Sequence, residues 1–296
     1  MSRVKTVVAT EMLLVVGLLA FVGVAFGAQK ILGLSDPVHV GVPLAFLLSA
    51  VPAFLWLGYF YLQDRHEPEP KHFVAGVYLA GGFVAAPVAT FIMEQLLPAQ
   101  ESALAVAISG ERVLHAILVV GLAQEFSKFI IVRYSIYLSD EFDEPMDGII
   151  YMTAAGIGFA TAENIRYFSG IGGVFLGIGA GNAVIITMAH ACFAGVQGYA
   201  LGRAKFSGFT PLRRNLTLIG GLMLAATLNG LFNLLEERVT NAGLTSQPWR
   251  GLAFASGFAV VVFMMTSLMM RRHLADSPHA HPKTPAAPPP SEPVRP

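Results

Sequence analysis

The feature that most constrains this chain is a succession of long apolar runs, each near 20 residues, separated by short polar segments. In hydrocarbon the backbone has no water to bond, so only helices and closed barrels span a membrane, and runs of this length indicate helices. Eight spans fall at roughly 4–28, 39–62, 73–97, 113–138, 148–168, 174–202, 215–235 and 251–270, each long enough to cross about 30 Å at about 1.5 Å per residue. The expected fold is all-α, a polytopic transmembrane helical bundle over residues 1–275. Pro98–Arg112 is only mildly apolar and reads as a loop or surface helix. From about Asp276 to Pro296 the chain is rich in proline, alanine and histidine, cannot build a core, and is expected to be a disordered tail in which His279 and His281 are solvated.

Composition agrees with this reading. Hydrophobic residues make up 54% of the chain and charged ones 13%, about half the charged share of an ordinary soluble domain, which excludes a soluble enzyme. Nineteen basic residues balance nineteen acidic ones, so net charge gives no reason to expect a nucleic-acid partner. The single cysteine, Cys192, sits among Ala189, Ala191 and Phe193 and reads as a buried bystander. Arg3 and Lys5 precede an apolar run ending at Ala25-Phe26-Gly27, as in a signal peptide. That run exceeds the usual core of about 7–15 residues, so a retained anchor is expected. With eight spans, twelve of the lysines and arginines lie on the side of both termini and five on the other. The positive-inside rule then places both termini in the cytoplasm.

The informative residues are those the membrane should reject. A carboxylate within a span costs at least about 2.5 kcal/mol on insertion scales, so such groups usually face the bundle interior and serve a function. The fourth span carries Gln124, Glu125 and Lys128; the fifth Glu163 and Asn164; the sixth His190; the seventh Asn229 and Asn233. Counted from the cytoplasmic ends, Glu125 lies about 20 Å deep, Glu163 about 22 Å, His190 about 18 Å and Asn229 about 21 Å. Four neighbouring helices with polar groups in one layer describe a single interior site. Glu125 and Lys128, three apart, share a helix face, as do Asn229 and Asn233, four apart. Lys128 then offsets a carboxylate charge, either in a structural ion pair or within a site.

Two carboxylates and an imidazole in a dry cavity suit zinc, which accepts nitrogen and carboxylate oxygen and lowers the pKa of a bound water to about 7. The spacing itself is weak evidence for a metal, because no His-Glu-x-x-His run is present. A proton relay or a structural polar network remains open at this point.

Several motifs in order carry a resemblance. They are Gln124-Glu125-Phe126-Ser127-Lys128, the loop Glu141–Asp147 running into Gly148-Ile149-Ile150-Tyr151, Phe159-Ala160-Thr161-Ala162-Glu163-Asn164, and His190-Ala191-Cys192-Phe193-Ala194-Gly195 with Gly198–Gly202 after it. Upstream, Asp64–Pro70 forms an acidic, proline-bearing loop. Together these resemble the PrsW family of intramembrane metalloproteases, distantly related to the CAAX prenyl proteases, over roughly Leu62–Leu235, with the protease-like core at about 113–235. The resemblance implies a bacterial inner-membrane protein that cleaves a membrane-embedded protein substrate in the lipid bilayer. It implies a catalytic set of Glu125, Lys128 and Gln124, and metal ligands drawn from Glu163, His190, Glu125, Asn229 and Asn233, with zinc as the cofactor.

Two positions depart from the family pattern. Gln124 stands where glutamate is usual, and Asn229 and Asn233 stand where histidine and an aspartate or asparagine are usual. An amide takes no proton from water at accessible pH, and asparagine is a poor zinc ligand beside histidine. Two arrangements follow: Glu125, Glu163 and His190 all bind the metal, or Glu125 is the base while Glu163, His190 and an asparagine hold a weaker ion. The alternatives to a protease are an inactive relative that binds a membrane partner, and a transporter using the same polar layer. A transporter would show paired broken helices in a repeat, which the sequence lacks, and the glycines at 156, 158 and 170–181 suit close helix packing as well.

The acidic loop Asp140–Asp147 reads as a solvated turn, with Asp147 capping the fifth span. His39, His66, His72 and His115 are expected to be non-ligands. Glu11 and Glu94 lie near span ends, where they can snorkel or reach headgroups, and receive no role.

Overall fold

A computed structural model describes residues 3–63, 68–96, 109–170, 172–241 and 247–276. The expected tail, Asp64–Glu67 and most of Pro98–Arg112 lie outside the described residues. Eight helices carry the described chain: α1 (Arg3–Ile31), α2 (Val42–Tyr61), α3 (Lys71–Leu96), α4 (Gly110–Ser135), α5 (Asp147–Phe168), α6 (Leu176–Phe206), α7 (Pro211–Thr240) and α8 (Pro248–Asp276). The fold is an all-α, polytopic bundle of about eight spans. Seven of these helices are long and apolar enough to cross a bilayer. The remaining one, α5, is enclosed by α2, α3, α4 and α6, and every residue from Asp147 to Thr161 is buried. Protein rather than lipid surrounds it, so its apolarity is not under the same demand.

Helix ends run past the apolar runs that revealed them. Helix α7 extends to Thr240 and α8 to Asp276, several residues beyond the expected spans at 235 and 270. Hydropathy reports where lipid is, whereas backbone hydrogen bonding continues into the polar flanks. Thr210 accepts from the backbone N–H of Arg213 and Ser109 from that of Arg112, capping α7 and α4.

Centre and rim differ in composition. Helices α5 and α6 meet along small residues, and van der Waals packing, the main attraction between helices in lipid, is strongest where backbones come close. A Cβ on Gly156 would lie 2.5 Å from the carbonyl oxygen of His190, so only glycine permits α5 to approach α6 at the level of that histidine. The same holds where α4 crosses α7: a Cβ on Gly121 would lie 2.1 Å from the Ala226 carbonyl oxygen. Helix α4 contains a π-turn at Ala116–Gly121, and α3 contains one at Gly81–Ala85. Each inserts part of a turn, and so resets which residues face the interior. The one in α4 ends three residues before Gln124.

The loop before α5 corrects the sequence reading in part: Asp140, Glu141 and Asp143 are exposed as expected, but the end of the loop is not. Glu144 and Asp147 are buried, and Asp147 Oδ2 accepts from the backbone N–H groups of Asp143 (2.8 Å) and Glu144 (2.7 Å). Asp147 therefore ties down the preceding turn instead of capping the helix, because its oxygen is already taken by amides upstream. Glu69, buried between two prolines, accepts from the Tyr151 hydroxyl, and its backbone oxygen accepts from Tyr61 at 3.1 Å. Glu69 thus joins the segment before α3 to the start of α5 through Tyr151.

Gly121→Ala should lower the thermal unfolding midpoint of purified protein, at a cost of about 1–3 kcal/mol, because the neighbouring backbone must move. Gly257→Ala, which meets nothing within 4 Å, is the control and should leave the midpoint unchanged or slightly raised. Equal midpoints for the two variants would contradict the described α4–α7 crossing.

Candidate active site

Helices α4, α6 and α7 bring most of the polar residues into one connected cluster. Lys128 Nζ lies 2.6 Å from Glu125 Oε1 and 3.3 Å from His190 Nδ1. Asn229 Nδ2 donates to Glu125 Oε1 at 2.7 Å and to Gln124 Oε1 at 2.9 Å. Its own Oδ1 accepts from Asn233 Nδ2 at 2.7 Å, which fixes the orientation of the amide. Glu125, Lys128 and Asn229 have no exposed surface at all, and Gln124 and His190 are buried. The layer expected from depth alone is a hydrogen-bonded chain running Asn233, Asn229, Glu125, Lys128, His190.

Aromatic rings close the cluster from the α5 and α6 sides. Lys128 Nζ stands 4.9 Å above the Phe159 ring, and the His190 ring lies 5.1 Å from Phe159 and 6.0 Å from Phe193. A desolvated cation over a ring gains about 2 kcal/mol. The ammonium therefore has a carboxylate, an imidazole nitrogen and a π-face around it. An ammonium has no lone pair, so a charged Lys128 can only donate to Nδ1, an arrangement that leaves the ring proton of His190 on Nε2.

Glu163 is the predicted residue that the structure does not join to this hydrogen-bonded chain. Its carboxylate is bound by Arg166, one turn further along α5, and Arg166 also donates to Thr90 Oγ1 of α3 at 3.2 Å. The i, i+3 spacing of Glu163 and Arg166 was visible in the sequence and foretells this pair. Its neighbour Asn164 points into the bundle instead, donating to Thr187 Oγ1 at 3.1 Å and Ala183 O at 3.3 Å. Sequence reasoning also missed Gln197, a buried amide of α6 seven residues beyond His190, with neither polar side-chain atom bonded among the described residues. A lone amide in an otherwise apolar stretch was the available signal.

A zinc ion needs donors converging within about 2.0–2.3 Å of one point. Among the described residues no three His, Cys, Asp or Glu side chains converge in that way. Lys128, a cation, occupies the space between Glu125 and His190; Asn229 turns N–H groups toward Glu125; Glu163 is held by Arg166. As arranged, the set does not fit the ion. Glu125 Oε2, in contrast, has no hydrogen-bond partner among the described residues while Oε1 accepts two. A buried carboxylate oxygen without a partner is costly, and such atoms mark places where chemistry or a bound water is accommodated.

A family model described as PrsW family intramembrane metalloprotease matches residues 69–270. The chain belongs to the PrsW family. Curated relatives agree. Protease PrsW of Geobacillus kaustophilus is 34% identical over 191 residues, covering 64% of this chain and 79% of that protein. Protease PrsW of Bacillus subtilis is 29% identical over 190 residues, covering 64% and 81%. That of Oceanobacillus iheyensis is 31% identical over 212 residues, covering 69% and 88%. No solved structure matches. The matched region contains the whole polar cluster together with the Glu69–Asp147 contact, so this member of the family is a multi-pass bacterial membrane protein of protease type.

The Glu125–Lys128 pair should behave as a unit. Lys128→Met leaves a carboxylate buried without its counter-ion, and Glu125→Gln leaves the ammonium so; each should cost about 3–5 kcal/mol of unfolding free energy. The double substitution should cost much less than the sum of the two, measured by denaturation in bicelles. Simple additivity would show that the two side chains do not share this contact.

Proposed function

We propose that this protein hydrolyses a peptide bond in a membrane-embedded protein substrate, with Glu125 as the general base and both termini in the cytoplasm. The observation that carries this reading is the asymmetry of the Glu125 carboxylate. Its Oε1 is held by Lys128 and Asn229, which orients the group, while Oε2 is left to accept from a water. A water bonded there gives its proton to Oε2 as its oxygen attacks the scissile carbonyl. In this scheme the resulting oxyanion accepts from N–H donors of the same cluster, His190 Nε2–H and the ammonium of Lys128. The proton on Glu125 then passes to the leaving amine, which restores the carboxylate. Gln124 has no proton-transfer role in this scheme; its oxygen takes the second N–H of Asn229 and so positions that amide.

Water must reach a site within the bilayer, and Gln197 supports a route from the side of the termini. Its unpaired amide lies about two helical turns from His190 on the same face of α6. Zinc, expected from the family, supplies a Lewis acid where it is bound. Binding it here would require Lys128 to leave the space beside Glu125 and Arg166 to release Glu163, so no step is assigned to it.

A second reading is a member that binds a membrane partner without cutting it. The contact of Lys128 with the carboxylate favours it, since a buried pair of this kind can be wholly structural.

One assay separates the two. Protein in liposomes is incubated with a library of single-span peptides, and cleavage products are identified by mass spectrometry. Wild type should yield products, Glu125→Gln should lower the rate by at least about 10³-fold, and His190→Ala by about 10²-fold. Undiminished products from Glu125→Gln would refute the assignment of the base, and no products from wild type would favour the binding reading.

A further inference from the structure

Helices α1 and α8 leave a gap between them. Helix α1 packs on α2 and α6, α8 packs on α6 and α7, and no comparable contact joins α1 to α8. A cavity of about 760 Å³ fills the gap, floored by α2. Its wall is layered in the same way on all three helices. Glu11 on α1, Gln63 just past α2 and Arg271 on α8 lie toward the end of the bundle that holds both termini. Seven residues deeper on each stand Leu18, Trp56 and Met264. Seven residues of helix is about 10 Å, so the cavity has a polar mouth and an apolar interior about two turns deep.

The mouth has unmet charges. Among the described residues neither Glu11 nor Arg271 enters an ion pair, and Gln63 Nε2 is buried without a hydrogen-bond partner. Glu11 is exposed at the start of the apolar part of α1, at headgroup depth. The occupant that satisfies all of this carries an acyl chain, one anionic group and one cationic group. We propose that the groove between α1, α2 and α8 binds a phospholipid with a phosphoethanolamine headgroup, its phosphate on Arg271 and Gln63, its ammonium on Glu11, and a chain lying against Leu18, Trp56 and Met264.

Charge complementarity chooses this lipid over its neighbours. An anionic phosphatidylglycerol satisfies Arg271 but meets Glu11 with no cation to offer. A choline headgroup has the cation but no N–H to donate to the carboxylate. A transmembrane peptide fills the interior but brings no charges to the mouth unless its sequence happens to carry both. The proposal does not depend on hydrolysis at Glu125, and its outcome leaves that reading untouched.

The test uses the full chain in nanodiscs containing equal parts of phosphatidylethanolamine, phosphatidylglycerol and phosphatidylcholine, with lipids retained after detergent extraction measured by native mass spectrometry. Wild type should retain phosphatidylethanolamine about tenfold over either competitor. Glu11→Gln should abolish the preference over phosphatidylglycerol, and Arg271→Gln should reduce retention of both phosphate-bearing competitors and phosphatidylethanolamine alike. Thermal midpoints of both variants serve as the folding control, since each side chain is exposed. Equal retention of the three lipids by wild type, or a preference unchanged in Glu11→Gln, would overturn the proposal.

Discussion

A charged pair with no exposed surface governs this structure. Glu125 and Lys128 sit inside a bundle whose outer surface faces hydrocarbon, and neither charge is tolerable there alone. Each must be met by further partners, and those come from different helices: Asn229 from α7, His190 from α6, Phe159 from α5. The need to satisfy one pair thus fixes the relative placement of four helices. The close glycine crossings at Gly121 and Gly156 follow from the same need, because α7 and α6 must approach α4 and α5 to within hydrogen-bonding reach.

The division between centre and rim serves this arrangement. Helices α5 and α6 are shielded by the others and bear small residues and polar groups; α1 and α8 are mostly lipid-facing. The rim can then be apolar without regard to chemistry, while the centre is polar without regard to lipid. The Glu69–Asp147–Tyr151 contact extends the polar interior to one end of α5, where it holds two loops over the mouth of the bundle.

Much of this was legible in the sequence, because the membrane makes it so. The eight helices showed as apolar runs, and Gln124, Glu125, Lys128, His190 and Asn229 stood out because hydrocarbon penalises them. What the sequence concealed depends on rotamers and backbone phase. Glu163 had the right depth, and its charge reaches Lys128, but depth alone did not show that Arg166 within one turn of it binds its carboxylate. The π-turn at Ala116–Gly121 has no composition of its own, yet it decides which face of α4 carries Glu125. The loop at 140–147 looked solvated because it is acidic, and Asp140, Glu141 and Asp143 are exposed; Glu144 and Asp147 are buried, the latter accepting from backbone N–H groups, which charge counting does not reveal. Asn229, which looked like a degraded ligand, acts here as a donor that orients the carboxylate.

The most direct test is a solid-state dipolar recoupling measurement in lipid bilayers, on protein labelled at the Glu125 carboxyl carbon and the Lys128 side-chain nitrogen. A coupling equivalent to direct contact, within about 4 Å, is the expected result. A carboxyl and ammonium beyond about 6 Å, outside any ion-pair geometry, would mean that the charges are not gathered inside the bundle, and the account built on them would fall.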